Sequence, residues 1–384
     1  MTTHSRHNPA SALVSSIFRR LINATVFLSL ACGGATDPSS RNRVLWELPV
    51  VSAGWAGRPA ADGVQVFVEA DSGIIALNPL TGTRNWYANL HVAGRPVAWN
   101  IVYRDGAVYM IDRYTIFALN ASDGAVRWQV TPVVRPDGAW VAVDDRSVYL
   151  GTRDEDIVAL DRATGAERWS TSFIAGWPNG GVVIGFGVSG DTLYAAGAEN
   201  LTAGKERAVV RAYDRIGGTQ IAEYKSADSA SSAGRQVTVA GNTVLVSDLY
   251  GGSFIAIERF TMREKWRVVG DPNSLGPTQE PIVLGDTVFV GSADRFAYAA
   301  NFQTGQLYWK TFTRASILPF ALCGDLFLGN NQAVAVINRR THKLESYQID
   351  PDGSSSRFPT SGFAVVGDVA VVEGTQSIYG ISCR

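Results

Sequence analysis

The chain has 384 residues, 46% of them apolar and 10% aromatic, with a net charge of −1. That composition supports a large folded core and excludes a disordered polymer, and near-neutrality without a clustered basic face excludes the electrostatic footprint of a nucleic-acid binder. The three cysteines, Cys32, Cys323 and Cys383, are too few for a disulfide framework, and no two of them have metal-ligand spacing.

Residues 1–31 read as an export signal. Arg19 and Arg20 close a basic region, and residues 21–31 form a mostly apolar run too short to span a bilayer as a helix. The run ends Leu28-Ser29-Leu30-Ala31-Cys32-Gly33-Gly34. This is similar to a bacterial lipobox, with Ser29 where a lipobox usually carries Leu. On that reading Cys32 is lipidated and becomes the N-terminal residue; the alternative is ordinary secretory cleavage beside a chance cysteine. Cys32 and residues 33–42, small and polar, then form a lipidated tether with a reach on the order of 20 Å. Gly33, where an acidic residue would signal retention, implies release to the outer membrane by the same resemblance.

From residue 43 to residue 384 one pattern recurs. A Gly-polar or Asp-Gly turn, such as Asp105-Gly106, Gly241-Asn242 or Gly285-Asp286, opens a β-branched or aromatic run. A second short apolar strand follows and ends in a polar marker: Asn78, Asn120, Asp161, Asp214, Glu258, Asn301, Asn338 and Ser382, at intervals of 37 to 53 residues. Two places before the marker the residue is small in all copies but one, where Val336 stands. Eight places after it comes Trp86, Trp128, Trp169, Trp266 or Trp309, with Ala222 and Ser346 in two copies that lack the indole. Each unit therefore reads as strands A, B, C and D. A period of this length built from short strands means an all-β propeller of stacked four-stranded antiparallel blades.

The two ends of this region complement each other. Residues 43–49 supply a strand D with Trp46 and nothing before it, while residues 362–384 supply A, B and C alone. The N-terminal strand should complete the C-terminal blade, closing an eight-bladed ring without open edges. The expected organisation is thus 1–31 signal peptide, 32–42 lipidated Cys and tether, 43–384 propeller. In such a ring Trp46, Trp86, Trp128, Trp169, Trp266 and Trp309 are structural, wedged between sheets. Gly82, Gly124, Gly165 and Gly305, four residues before a Trp, permit the turn conformation.

The string Ala-x-Asp-x-x-Thr-Gly-x-x-x-Trp resembles the tryptophan-docking repeat of pyrroloquinoline-quinone (PQQ) type propellers, and the resemblance covers residues 43–384. It has two branches. One is the quinoprotein dehydrogenases; the other is non-enzymatic and includes the BamB-type outer-membrane assembly lipoproteins. Dehydrogenases of the first branch carry adjacent cysteines, an acidic Ca²⁺ site and an Asp base. This chain has no Cys-Cys pair, and His91 and His342 fall on opposite faces of the ring, in a D–A connection and a C–D turn. The resemblance therefore implies a non-catalytic, lipid-anchored scaffold facing the periplasm, with an envelope protein partner and neither PQQ nor calcium. The alternative is a ligand-binding or redox propeller of quinoprotein type. Asp154-Glu155-Asp156 in a B–C loop reads as a solvated charge run, with a Ca²⁺ site as the other reading.

A second set of tryptophans, Trp55, Trp99, Trp140 and Trp177, stands at or near the start of strand A in four consecutive units, with Arg58, Arg95 and Arg135 close by. Exposed Trp and Arg on a rigid face are what protein interfaces enrich; the other reading is that these indoles plug the inner barrel. The B–C segment 197–207 reads as an enlarged loop on the same face. Cys323 and Cys383 fall at the same end of adjacent blades but at different radii, so two buried thiols is preferred over a bridge.

Overall fold

The computed structural model describes residues 43–50, 58–70, 72–90, 100–112, 114–131, 141–152, 156–173, 181–201, 206–227, 233–248, 252–270, 281–313, 320–330, 334–348, 362–374 and 377–384. They form eight four-stranded antiparallel sheets arranged as an eight-bladed β-propeller. Blades 1 to 7 span residues 60–89, 101–130, 142–172, 181–225, 233–269, 282–312 and 320–348, each with its strands hydrogen-bonded in chain order from A inward to D outward. Blade 8 takes strands A to C from Phe363–Val366, Val369–Glu373 and Ser377–Ser382, and its strand D from Val44–Pro49. In that closing pair Trp46 lies opposite Gly380 and Leu48 opposite Ile378.

Strands B and C are almost continuously buried, as sheets covered on both faces by neighbouring blades require, whereas strand D alternates toward solvent. Within a sheet the packing follows one row. Strand B carries a ring, strand C an alanine opposite it, and strand D the tryptophan opposite the alanine: Tyr109, Ala118 and Trp128 in blade 2, and Tyr149, Ala159 and Trp169 in blade 3. The alanine leaves room for the two rings, whose centroids approach to 6.1 Å and 6.0 Å.

Between sheets the indole does the joining. Its N–H donates to the carbonyl of the residue after the marker of the next blade: Trp46 to Pro79 at 2.8 Å, Trp86 to Ala121 at 2.9 Å, Trp128 to Arg162 at 2.9 Å, Trp169 to Arg215 at 3.0 Å and Trp266 to Phe302 at 3.1 Å. The marker shapes the turn that presents that carbonyl. The Asp161 carboxylate accepts from the N–H groups of Ala163 and Thr164, both at 3.0 Å. The N–H of Gly165 closes the turn on the Asp161 carbonyl at 2.8 Å.

The glycine of each turn has two duties. It takes a positive φ, +72° at Gly218, and it lies flat under the preceding blade's indole, where a Cβ would come within 2.5 Å of Trp169 Cε3. Two junctions depart from this. Behind Trp309 the position is His342, at φ 57°, and its imidazole stacks on the indole at 5.4 Å. Behind Ala222 it is Met262, at φ 53° and buried, and the hydroxyl of Tyr194 reaches the Arg259 carbonyl at 3.5 Å in place of an indole N–H.

Two expectations need correction. The 197–207 segment is not an enlarged loop. Strands Thr192–Asn200 and Glu206–Asp214 run for nine residues each, so blade 4 has a taller hairpin with full register from Thr192 opposite Asp214 to Asn200 opposite Glu206. Cys323 and Cys383 are joined as a disulfide with a Cα–Cα separation of 5.7 Å. They sit where strand A of blade 7 and strand C of blade 8 end, and the blade 7–8 core packs around them. The stacking of adjacent blades brings the two positions together despite their different strand ranks.

Candidate functional site

The sequence points to the face formed by the D–A connections and B–C loops. Of its candidate residues, Trp55, Trp99, Trp140, Trp177, Arg95 and Arg135 lie outside the described residues, as do Cys32, His91, Asp154 and Glu155. Arg58 is described. It stands two residues before strand A of blade 1 in a parallel bridge to Asn100, its carbonyl accepts from the Ile101 N–H at 2.9 Å, and its side chain lies against Gly362, where a Cβ would be 2.5 Å from Arg58 Cγ. Next to it the Asn100 side chain pairs with the backbone of Val141, donating to its carbonyl and accepting from its N–H, both at 2.9 Å. Three blades are thus tied edge to edge at the inner ring.

These residues border a cavity of about 450 Å³ on the inner strands of blades 8, 1, 2, 3 and 4, lined by Arg58, Asn100, Tyr103, Phe186 and Phe363 among others. It is a mixed polar and apolar recess with one guanidinium at its wall. No group of three or more His, Cys, Asp or Glu side chains suited to a metal occurs among the described residues. His342 is engaged in the stack on Trp309 in a C–D turn.

Blade 4 adds a charged feature that sequence reasoning missed. Its tall hairpin carries Glu199 beside Arg207 at 2.5 Å and Lys225 at 3.8 Å, Lys225 beside Glu223 at 3.2 Å, and Glu223 beside Arg211 at 2.7 Å. Four of these residues alternate along strands C and D, which was the signal available. At the opposite end of the ring, Arg215 of blade 4 spans to blade 3. It contacts Asp144 at 2.8 Å and also pairs with Asp145. Burial acts to raise the Asp144 carboxyl, but the Arg146 N–H, the Arg215 guanidinium and the Tyr149 hydroxyl hold it below its usual range. Between blades 8 and 1 the environment works the other way. Glu373 is fully buried, and that burial together with the charge of Glu69 pushes its pKa well up.

The geometry defines a closed eight-bladed propeller of the tryptophan-docked kind, with a small channel recess and a tall blade 4. The sequence profile described as outer membrane protein assembly factor BamB matches residues 35–139, 112–204 and 205–345, and the chain belongs to this family. Among solved structures it is similar to BamB from Moraxella catarrhalis, at 16% identity and TM-score 0.65 over 88% of this chain and 96% of that one. It is also similar to the quinohemoprotein alcohol dehydrogenase of Comamonas testosteroni, at 11% identity and TM-score 0.66 over 88% and 76%, and to the computationally designed Ika8 protein, at 13% identity and TM-score 0.66 over 88% and 99%. At these identities the likeness is one of fold, and the fold hosts an assembly factor, an enzyme and a designed protein alike. A curated relative, the serine/threonine-protein kinase AfsK of Streptomyces coelicolor, is 31% identical over 100 residues, and the match spans 25% of this chain and 11% of that protein.

Proposed function

We propose that this chain is a non-catalytic, lipid-anchored scaffold that binds a protein partner at the periplasmic side of the outer membrane, within or beside the β-barrel assembly machinery. The observation that carries the reading is the family match running through most of the ring. The lipobox-like run ending at Cys32 supplies the anchor, and the Trp- and Arg-bearing D–A connections of the sequence, with the tall blade 4, supply the contact face. Photo-crosslinkers at Trp99 and Trp140, with one in the Asp191 turn on the opposite face as control, test it in intact cells. Adducts with an assembly component from the first two alone support the reading; equal or absent adducts at all three count against it. Cys32→Ser should shift the protein from the membrane fraction to the soluble one.

A second reading, a ligand-binding propeller of quinoprotein type, is favoured by the channel recess with Arg58 at its wall. Titration with PQQ and Ca²⁺ separates the two: a spectral change or a thermal shift selects the second.

A further inference from the structure

Five junctions around the ring dock an indole on a turn glycine and a carbonyl of the next blade, and at a sixth His342 takes the glycine's place against Trp309. The blade 7–8 junction has neither an indole nor a C–D turn to receive one. Strand D of blade 7 carries Ser346 at the tryptophan position. Strands C and D of blade 8 come from residues 377–382 and 44–49, so no turn joins them to present a glycine and a carbonyl. The blade 4–5 junction also lacks an indole, yet there Met262 fills the space and Tyr194 replaces the hydrogen bond.

At blade 7–8 the replacement is covalent. Cys323 and Cys383, 60 residues apart in sequence, join the end of strand A in blade 7 to the end of strand C in blade 8. The same corner holds Arg43, which donates to the Arg384 carbonyl at 2.7 Å and pairs with Glu345 of blade 7 at 3.0 Å. The N–H of Ser382 donates to the Arg43 carbonyl at 2.8 Å, and that of Cys383 to Asp368 at 2.9 Å. The bridge is thus anchored one residue beyond the strand that pairs with Val44–Pro49.

We propose that Cys323 and Cys383 are a dithiol-oxidation site whose product, the disulfide, is the lock that holds the ring's seam shut where the indole device is missing. The chemistry needs a disulfide oxidant, whether a thiol oxidoreductase or a small-molecule disulfide. The Cys383 thiolate attacks one oxidant sulfur and expels the other as thiolate. The Cys323 thiolate then attacks the Cys383 sulfur of the mixed disulfide and expels the oxidant sulfur bonded to it; the two cysteines can exchange these roles. One S–S bond forms in the protein, one is broken in the oxidant, and the oxidant takes up the two electrons and the two protons. Cys323 is 1% exposed and Cys383 8% in the closed ring, so exchange belongs to a stage before the seam packs. A disulfide of this kind persists only in an oxidising compartment, which is where the signal-like N-terminus directs the chain. The inference is independent of the scaffold reading and of the lipid anchor.

The test uses the full chain, exported and purified without reductant. Peptide mapping after alkylation should recover Cys323 and Cys383 as one linked pair; both alkylated in folded, exported protein would overturn the proposal. Hydrogen exchange is then compared in the oxidised protein and after reduction under native conditions. Exchange in residues 44–49 and 377–382 should accelerate about tenfold or more, with residues 107–112 of blade 2 unchanged. Acceleration spread evenly around the ring, or none, would refute a seam lock. Cys383→Ser should lower the melting temperature by about 5–10 °C, with no further drop on adding reductant. If that variant does not accumulate, the reduction experiment on the native sequence decides alone.

Discussion

The contact between Trp169 and Gly218 allows the docking device to be measured as a coupling energy. In Gly218→Ala the new Cβ meets two penalties. The residue sits at φ +72°, where an L side chain costs about 1–2 kcal/mol. The Cβ would also lie 2.5 Å from Trp169 Cε3 and 2.7 Å from Cδ2, so the indole must move, an overpacking cost of about 1–3 kcal/mol. Trp169→Ala removes a buried indole and its hydrogen bond to Arg215, at about 3–5 kcal/mol. In the double variant the ring is gone and only the backbone penalty of the alanine remains. The double variant should therefore be about 1–3 kcal/mol more stable than the sum of the single effects. Gly241→Ala is the internal control: it has φ +51° with nothing within 4 Å of its Cβ, and should cost the backbone penalty alone, about 1–2 kcal/mol. Urea midpoints at constant m-value give all four numbers. Additivity to within about 0.5 kcal/mol would mean that the indole and the glycine do not meet, and the docking account would be wrong.

Other consequences can be checked by the same unfolding assay. Arg215→Met leaves the buried Asp144 carboxylate without its cation and should cost about 3 kcal/mol, whereas Asp145→Asn, at a carboxylate 55% exposed, should cost less than about 1 kcal/mol. Glu373 holds its proton more tightly folded than unfolded, so its contribution favours the fold below the ordinary glutamate pKa and is lost as pH rises toward its raised value. Glu373→Gln should flatten that fall in stability with pH; an unchanged pH profile would refute the assignment. Asn100→Ala strips two hydrogen bonds from the Val141 backbone at the inner ring and should cost about 2 kcal/mol, read as a lowered urea midpoint.

Most of the ring was legible because its determinants are local. The marker, the small residue two before it and the Trp eight after it lie within one hairpin, and the ends of the pattern show that strand D of blade 8 must come from residues 44–49. What escaped lies across blade boundaries. The turn glycines read as conformational devices; that they also receive an indole from another blade, and that His342 and Met262 stand in for them, depends on stacking that spacing does not encode. The disulfide escaped for the same reason, since Cys323 and Cys383 belong to strands of different rank. Blade 4 misled because an interval of 53 residues reads as inserted loop, while an Ala- and Gly-rich stretch extended the pairing instead. Of the candidate contact-face residues, Arg58 alone lies among the described residues, where it and Asn100 line the recess.

The seam also sets the order of events during biosynthesis. Val44 pairs with Ile381, so the strand at residues 44–49 must wait for the one at residues 377–382 before its edge is covered. A polypeptide cut short of residue 377 would carry two naked sheet edges, one at each end, and offer them to proteases and to other chains. Synthesis through residue 382 is thereby built into the architecture as a condition for survival.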